Sequence, residues 1–159
     1  MNTATVHEIK RALEDMEATQ IRALCLRLAK FKKDNKELLT YLLFEAHDEE
    51  AFITSSKREN AEAFTSIPNV NVYYLKKSVR RILRSLNKLI KYSGQPVTEL
   101  ELRIDFCKQV LAHQIPLNKS VVLRNLYDQQ VKKIKSVLAK LDEDLQYDYR
   151  AALEMIDKK

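Results

Sequence analysis

A chain of 159 residues with 28 Lys and Arg against 22 Asp and Glu, a formal charge of +6 and 45% hydrophobic residues has the composition of one globular domain. At that length about 70% of the unfolded surface can be buried, and wholesale disorder is excluded. Its single glycine, against a usual share of about 7%, leaves almost no position that tolerates a positive φ cheaply, which argues together against phosphate-cradling loops, nucleophile elbows and type I′ hairpins.

Apolar residues recur at spacings of three and four almost throughout, and strict alternation is scarce, so helices are predicted along the whole chain. The first starts near Thr5, which can form a capping box with Glu8, and its buried stripe is Val6, Ile9, Leu13 and Met16. Thr19 caps a second, with Ile21, Leu24, Cys25 and Leu28 inward. Asp34 opens a third, whose core face is Leu38, Leu39, Leu42 and Leu43. From Asp48 to Ser66 the acidic start suits a helix N-terminus, yet apolar residues are sparse beyond Phe52 and Ile53.

The strongest amphipathic pattern runs from about Val72 to Ser93, with Leu75, Val79, Ile82, Leu83, Leu86, Leu89 and Ile90 on one side and Gly94 placed to close the helix. Thr98 and Glu101 suit another capping box, with Val97 and Leu102 as a hydrophobic staple, ahead of Leu100, Ile104, Cys107 and Leu111. After Pro116, Asn118 can cap a long final segment through Leu123, Leu126, Ile134, Leu138, Leu141 and Leu145, with a kink or break near Leu141 and Asp142. Short links make neighbours antiparallel. The expected architecture is therefore all-α, a single domain over 1–159 of six to eight antiparallel helices paired as hairpins, in a compact bundle or a short α-superhelical array.

A faint echo links LAKF at 28–31 with LIKY at 89–92, each followed by a capped helix opening (DNKELL, then TELELR). A repeat of helices two and three as helices five and six after about 60 residues would match helical arrays. Cys25 and Cys107 lie among apolar residues at helical spacing, the usual setting of buried reduced thiols. No stretch approaches the roughly 20 unbroken apolar residues of a membrane span. The opening MNTATVHEIKRALEDME lacks the apolar core of a signal peptide, and together these predict a soluble, cytoplasmic protein.

The fifth helix carries the main functional signal. Lys76, Lys77, Arg80, Arg81, Arg84, Lys88 and Lys91 fall within one arc of roughly 140° opposite the apolar stripe, with Tyr73 in its middle, and no acidic residue occurs between Glu62 and Glu99. Four like-charge i,i+4 pairs along this face destabilise the helix by about 0.2–0.5 kcal/mol each. The macrodipole relieves only Lys88 and Lys91, near the C-terminus. Such a face needs counter-charge, either from internal carboxylates (Asp48, Glu49, Glu50, Glu59 and Glu62, or Asp142, Glu143, Asp144 and Asp148) or from an acidic protein surface, a nucleic-acid backbone or anionic lipid. A second basic cluster, Arg22, Arg27, Lys30, Lys32 and Lys33, lies in an acid-free interval and would join the first if the repeat stacks.

Nucleic-acid recognition motifs are missing: the joint HQIPLNKS is too long for a helix-turn-helix, and zinc-finger and RRM signatures are absent. His7, His47 and His113 are too scattered to compose a site, EAHDEE lacks metal-ligand spacing, and no cofactor or metal motif is present. Function is thus expected to be non-enzymatic interaction with an acidic partner, with non-specific nucleic-acid binding as a second reading. An enzyme assembled from separated helices, using Cys107 or His113, is the alternative of another class.

Overall fold

A computed structural model of the chain describes residues 2–68 and 71–157. The described residues form eight α-helices and no strand, as the periodicity predicts. They separate into two compact units, Met1–Phe44 and Glu45–Lys159.

The first unit holds α1 (Val6–Glu14), α2 (Ala18–Phe31) and α3 (Lys33–Thr40). Thr5 opens α1 as predicted: its hydroxyl accepts from Glu8 N while the Glu8 carboxylate accepts from Thr5 N. The start of α2 differs from expectation, since Glu17 rather than Thr19 is the cap and its N–H donates to Gln20 Oε1 at 3.0 Å. One extended residue, Lys32, both ends α2 and begins α3, leaving Asp34 in the first turn of α3. The predicted buried stripes are not realised: no residue of α1, α2 or α3 is buried, Met16 lies past the end of α1, and Leu42 and Leu43 lie past the end of α3 and are exposed. A single π-helical turn, Tyr41–Glu45, in which Tyr41 is buried, follows α3.

The second unit holds α4 (Glu49–Thr65), α5 (Val72–Ser93), α6 (Pro96–Ala112), a 3₁₀ turn (Leu117–Lys119), α7 (Val121–Leu138) and α8 (Glu143–Asp157). Helix α6 is its axis. It buries Leu100, Leu102, Ile104, Phe106, Cys107 and Val110, residues that point in several directions around the helix, and it packs on α4, α5, α7 and α8. A helix apolar nearly all round must be surrounded. Chain reversals at Gly94 and around Pro116 make α5 antiparallel to α6 and α6 antiparallel to α7. Helices α4 and α6 run parallel, as their contacts show in order: Glu49 with Thr98, Lys57 with Glu101, Asn60 with Asp105, and Phe64 with Phe106.

Three terminus expectations change. Helix α6 begins at Pro96 after Gln95, so Thr98 is buried within its first turn and donates to Glu49, while Glu101 binds Lys57 and Tyr149 instead of closing a capping box. Ser120, not Asn118, caps α7; Asn118 lies in the 3₁₀ turn. The final segment is two helices, broken between Leu138 and Glu143. The α4 pattern was obscure because its buried ridge, Phe52, Ser56, Asn60 and Phe64, alternates aromatic with polar residues. Gly94 behaves as predicted, closing α5 at φ 66°.

Arg103 is the one buried cation among the described residues. It is 4% exposed, and its guanidinium meets Glu99 Oε1 through Nε and Nη2 at 2.8 and 2.7 Å, Asn87 Oδ1 at 3.1 Å and Gln130 Oε1 at 2.6 Å. One side chain of α6 thereby ties α5 to α7. Replacing Arg103 with Ala leaves those acceptors facing one another without a donor and is expected to cost about 3 kcal/mol in urea unfolding. Lys135→Ala, which breaks the half-exposed pair with Asp157, should cost less than about 1 kcal/mol.

Glu101 joins three helices: Lys57 of α4 and Tyr149 of α8 both hydrogen-bond its carboxylate. Burial pushes its pKa up, but those hydrogen bonds and the Lys57 and Lys108 charges outweigh burial and hold it below the ordinary 4.5. A carboxylate with a depressed folded-state pKa stabilises the fold above its unfolded value, and that contribution is lost as pH falls through the folded value. Unfolding measured below pH 4.5 should therefore show stability declining, with a shallower decline in Glu101→Gln.

Candidate binding surface

The predicted basic face lies on α5, whose position follows from its buried side. Val79, Ile82, Leu83, Leu86 and Ile90 are buried, and Leu75 and Leu89 pack half-buried against the same core. Asn71, a cap the sequence pattern did not single out, fixes the start of the helix by accepting from Tyr73 N and Tyr74 N. With one face in the core, the helical period turns the opposite one outward. Lys77, Arg80, Arg81, Arg84 and Lys91 are exposed, and Lys76 and Lys88 are half-buried. From Lys76 to Lys91 the row extends about 22 Å at the helical rise.

Three of the carboxylates named as internal counter-charges have partners outside the basic row. Glu49 accepts from Ser93 and Thr98, Glu62 pairs weakly with Arg58 at 4.0 Å, and Asp48 caps Ala51. Among the described residues, no carboxylate lies within ion-pair distance of Lys76, Lys77, Arg80, Arg81, Arg84 or Lys91. At the N-terminal end of the row Tyr73, 67% exposed, forms an edge-on pair with Tyr74 at 5.4 Å between ring centres.

The second cluster sits on α2 and α3 of the first unit and is partly neutralised. Lys32 lies 3.7 Å from Asp34 and Lys33 3.4 Å from Glu37. Arg22 turns its Nε back to the Ala18 carbonyl, while Arg27 and Lys30 are exposed.

The residues of the catalytic alternative do not come together in any cleft described. His113 stacks at a tilt on Phe64, 5.6 Å between ring centres, and borders a cleft of about 400 Å³ at the end of α6 with Ile67, Val72 and Ile115. Cys107 is fully buried in the core. Neither cysteine is disulfide-bonded, and Cys25 is half-buried. Among the described residues, no group of three or more His, Cys, Asp and Glu is placed to hold a metal ion, and no helix is long and apolar enough to cross a membrane. A smaller cleft of about 240 Å³ separates α4 from α5. Asn60, on its wall, donates to Asp105 but leaves its own buried Oδ1 without a partner.

Compared with known protein families, curated proteins and solved structures, the chain matches none.

Arg84 has a like charge four residues away on each side, Arg80 and Lys88. Arg84→Glu turns both pairs attractive and is expected to raise unfolding stability by about 1 kcal/mol. Thermal or urea unfolding checks this; an unchanged or lowered stability would mean the face is already balanced.

Proposed function

We propose that the protein is a non-enzymatic binding module that docks an acidic protein surface on the outer face of α5. One observation carries the reading: Lys76, Lys77, Arg80, Arg81, Arg84 and Lys91, on a core-anchored helix, have no carboxylate within ion-pair distance among the described residues. Like-charge neighbours cost stability, and alternating signs would have kept the face equally soluble. A site that binds by charge accepts that cost, because the repulsion is relieved when an anionic partner arrives.

Two features favour a protein partner over a phosphate backbone. The Tyr73–Tyr74 pair gives the row an aromatic end, and tyrosine beside arginine is the composition of protein-interface anchors. The exposed cations also lie on a single helix, outside any helix-turn-helix pair. The Arg22, Arg27, Lys30, Lys32 and Lys33 cluster is assigned a weaker accessory part, since two of its five cations have local partners.

The test is fluorescence anisotropy with a labelled Glu- and Asp-rich peptide and, separately, a mixed-sequence DNA duplex across a salt series. Wild-type protein should bind the peptide with salt-sensitive affinity, and Arg80→Glu/Arg81→Glu/Arg84→Glu should weaken it roughly 30-fold, three exposed charge contacts at about 0.7 kcal/mol each. Equal binding by the triple variant, or none by the wild type, contradicts the proposal. Tighter binding to the duplex, with a slope of log K against log salt near −4 to −5 for about five phosphates, would reassign the face to nucleic acid.

A further inference from the structure

The cleft between α4 and α5, about 240 Å³ in volume, stands apart from the basic face. It reaches the core of the second unit: buried Ile82 and Leu86 of α5 and Leu102 of α6 form its apolar wall. Across from them α4 lines the same space with Ser56 and Asn60, one turn apart. These two are 4% and 7% exposed, yet both keep hydrogen-bonding capacity that the chain does not use. Asn60 commits Nδ2 to the Asp105 carboxylate at 2.5 Å, and this fixes the sense of its amide, because a carboxylate only accepts; Oδ1 is left without a partner. The Ser56 hydroxyl makes no hydrogen bond among the described residues. Buried polar groups are nearly always paired, and an unpaired one costs stability. Apolar side chains at 56 and 60, between Phe52 and Phe64 on the same ridge, would pack α4 without that cost.

We propose that this cleft binds a small neutral molecule made of an apolar ring and a primary carboxamide. The two unused groups are complementary to one amide: its N–H donates to Asn60 Oδ1, and its carbonyl accepts from the Ser56 hydroxyl. Side chains four apart on a helix stand about 5–6 Å apart at Cβ, a distance that an amide with a hydrogen bond of about 2.9 Å at each end can span. The ring then lies against Ile82, Leu86 and Leu102, so that a few polar contacts orient a mainly apolar ligand.

Charge around the cleft argues for neutrality. Glu59, exposed where α4 meets solvent, and Asp105, bound to Asn60, oppose an anion. Arg81, exposed and one turn before the lining residue Ser85 on the α5 side, opposes a cation. Neither sign gains an unopposed counter-charge to offset its desolvation. Size narrows the class further. A volume of about 240 Å³ lies below the roughly 300 Å³ at which drug-sized sites begin, so one ring bearing one amide suits it and a larger ligand does not.

Amide chemical-shift titration of the isotope-labelled full chain with benzamide tests the proposal. Toluene, benzoate and benzylammonium serve as controls that keep the ring but lack the amide or carry a charge. Benzamide is expected to saturate the protein at about 1 mM or below, with shifts centred on Ser56, Asn60, Ile82 and Leu86, and the three controls to bind at least about tenfold more weakly. Ser56→Ala removes one hydrogen bond to the ligand and should weaken benzamide about tenfold; the unfolding midpoint of the free protein should stay equal or rise, because the hydroxyl has no protein partner to lose. Ser85→Trp, at an exposed position, should fill the opening and abolish binding with unchanged helical circular dichroism. Absence of saturable benzamide binding, which would leave the cleft to water alone, overturns the proposal. So would equal binding of toluene or either ion, or a benzamide affinity that neither Ser56→Ala nor Ser85→Trp alters.

Discussion

A buried guanidinium organises the second unit. Removing Arg103 from water carries a desolvation cost that only good geometry offsets, and here the carboxylate of Glu99 on the same helix and two amide oxygens, from Asn87 and Gln130, supply it. Because those amides belong to α5 and α7, the pairing of one side chain sets the register of three helices. Apolar packing alone tolerates sliding and rotation more readily than a hydrogen-bonded charge does, since Leu and Ile have many acceptable neighbours and a guanidinium has few. The network therefore specifies which face of α5 points inward, and by the helical period which points outward.

The outward face is where stability and function diverge. On α5 the core side, from Val79 to Ile90, is conventional amphipathic packing, whereas the outer side sets cation beside cation along about four turns. A depth of burial that holds the helix in place permits this repulsion: the apolar contacts of five fully buried side chains, each contributing about 1.5–3 kcal/mol, exceed a few tenths per like-charge pair. Acidic residues are present nearby in sequence but serve other ends. Glu49 binds the hydroxyls of Ser93 and Thr98 at the α5–α6 turn, and Glu101 gathers Lys57 and Tyr149. Carboxylates thus knit helices together, and Lys77, Arg80, Arg81, Arg84 and Lys91 of α5 are left on the surface.

Legibility in the sequence follows the range of the determining interaction. The Thr5–Glu8 capping box, the Gly94 terminus and the inward stripe of α5 were readable because each depends on residues within one or two turns. Helix α4 was obscure because Ser56 and Asn60 occupy its buried ridge, and Asn60 is satisfied in part by Asp105, 45 residues away. Thr98 and Glu101 matched a capping pattern, yet Pro96 starts the helix earlier and tertiary partners claim both side chains. The role of Arg103 is hidden for the same reason, although a charge set among Leu102, Ile104 and Phe106 on an all-round apolar helix is itself a sign of a buried partner. In the first unit the expected burial of the stripes does not follow, because periodicity reports which face is apolar without saying what covers it.

The basic row of α5 is visible in sequence as a pattern, and in the fold Lys77, Arg80, Arg81, Arg84 and Lys91 stand exposed on it. Whether that row is the contact surface is most directly read by amide chemical-shift mapping of the isotope-labelled protein titrated with an acidic peptide. The account predicts shifts concentrated at Lys77, Arg80, Arg81, Arg84, Lys88 and Lys91 with the amides of α6 unmoved; shifts confined to Arg22, Arg27 and Lys30, or spread evenly over the surface, would contradict it.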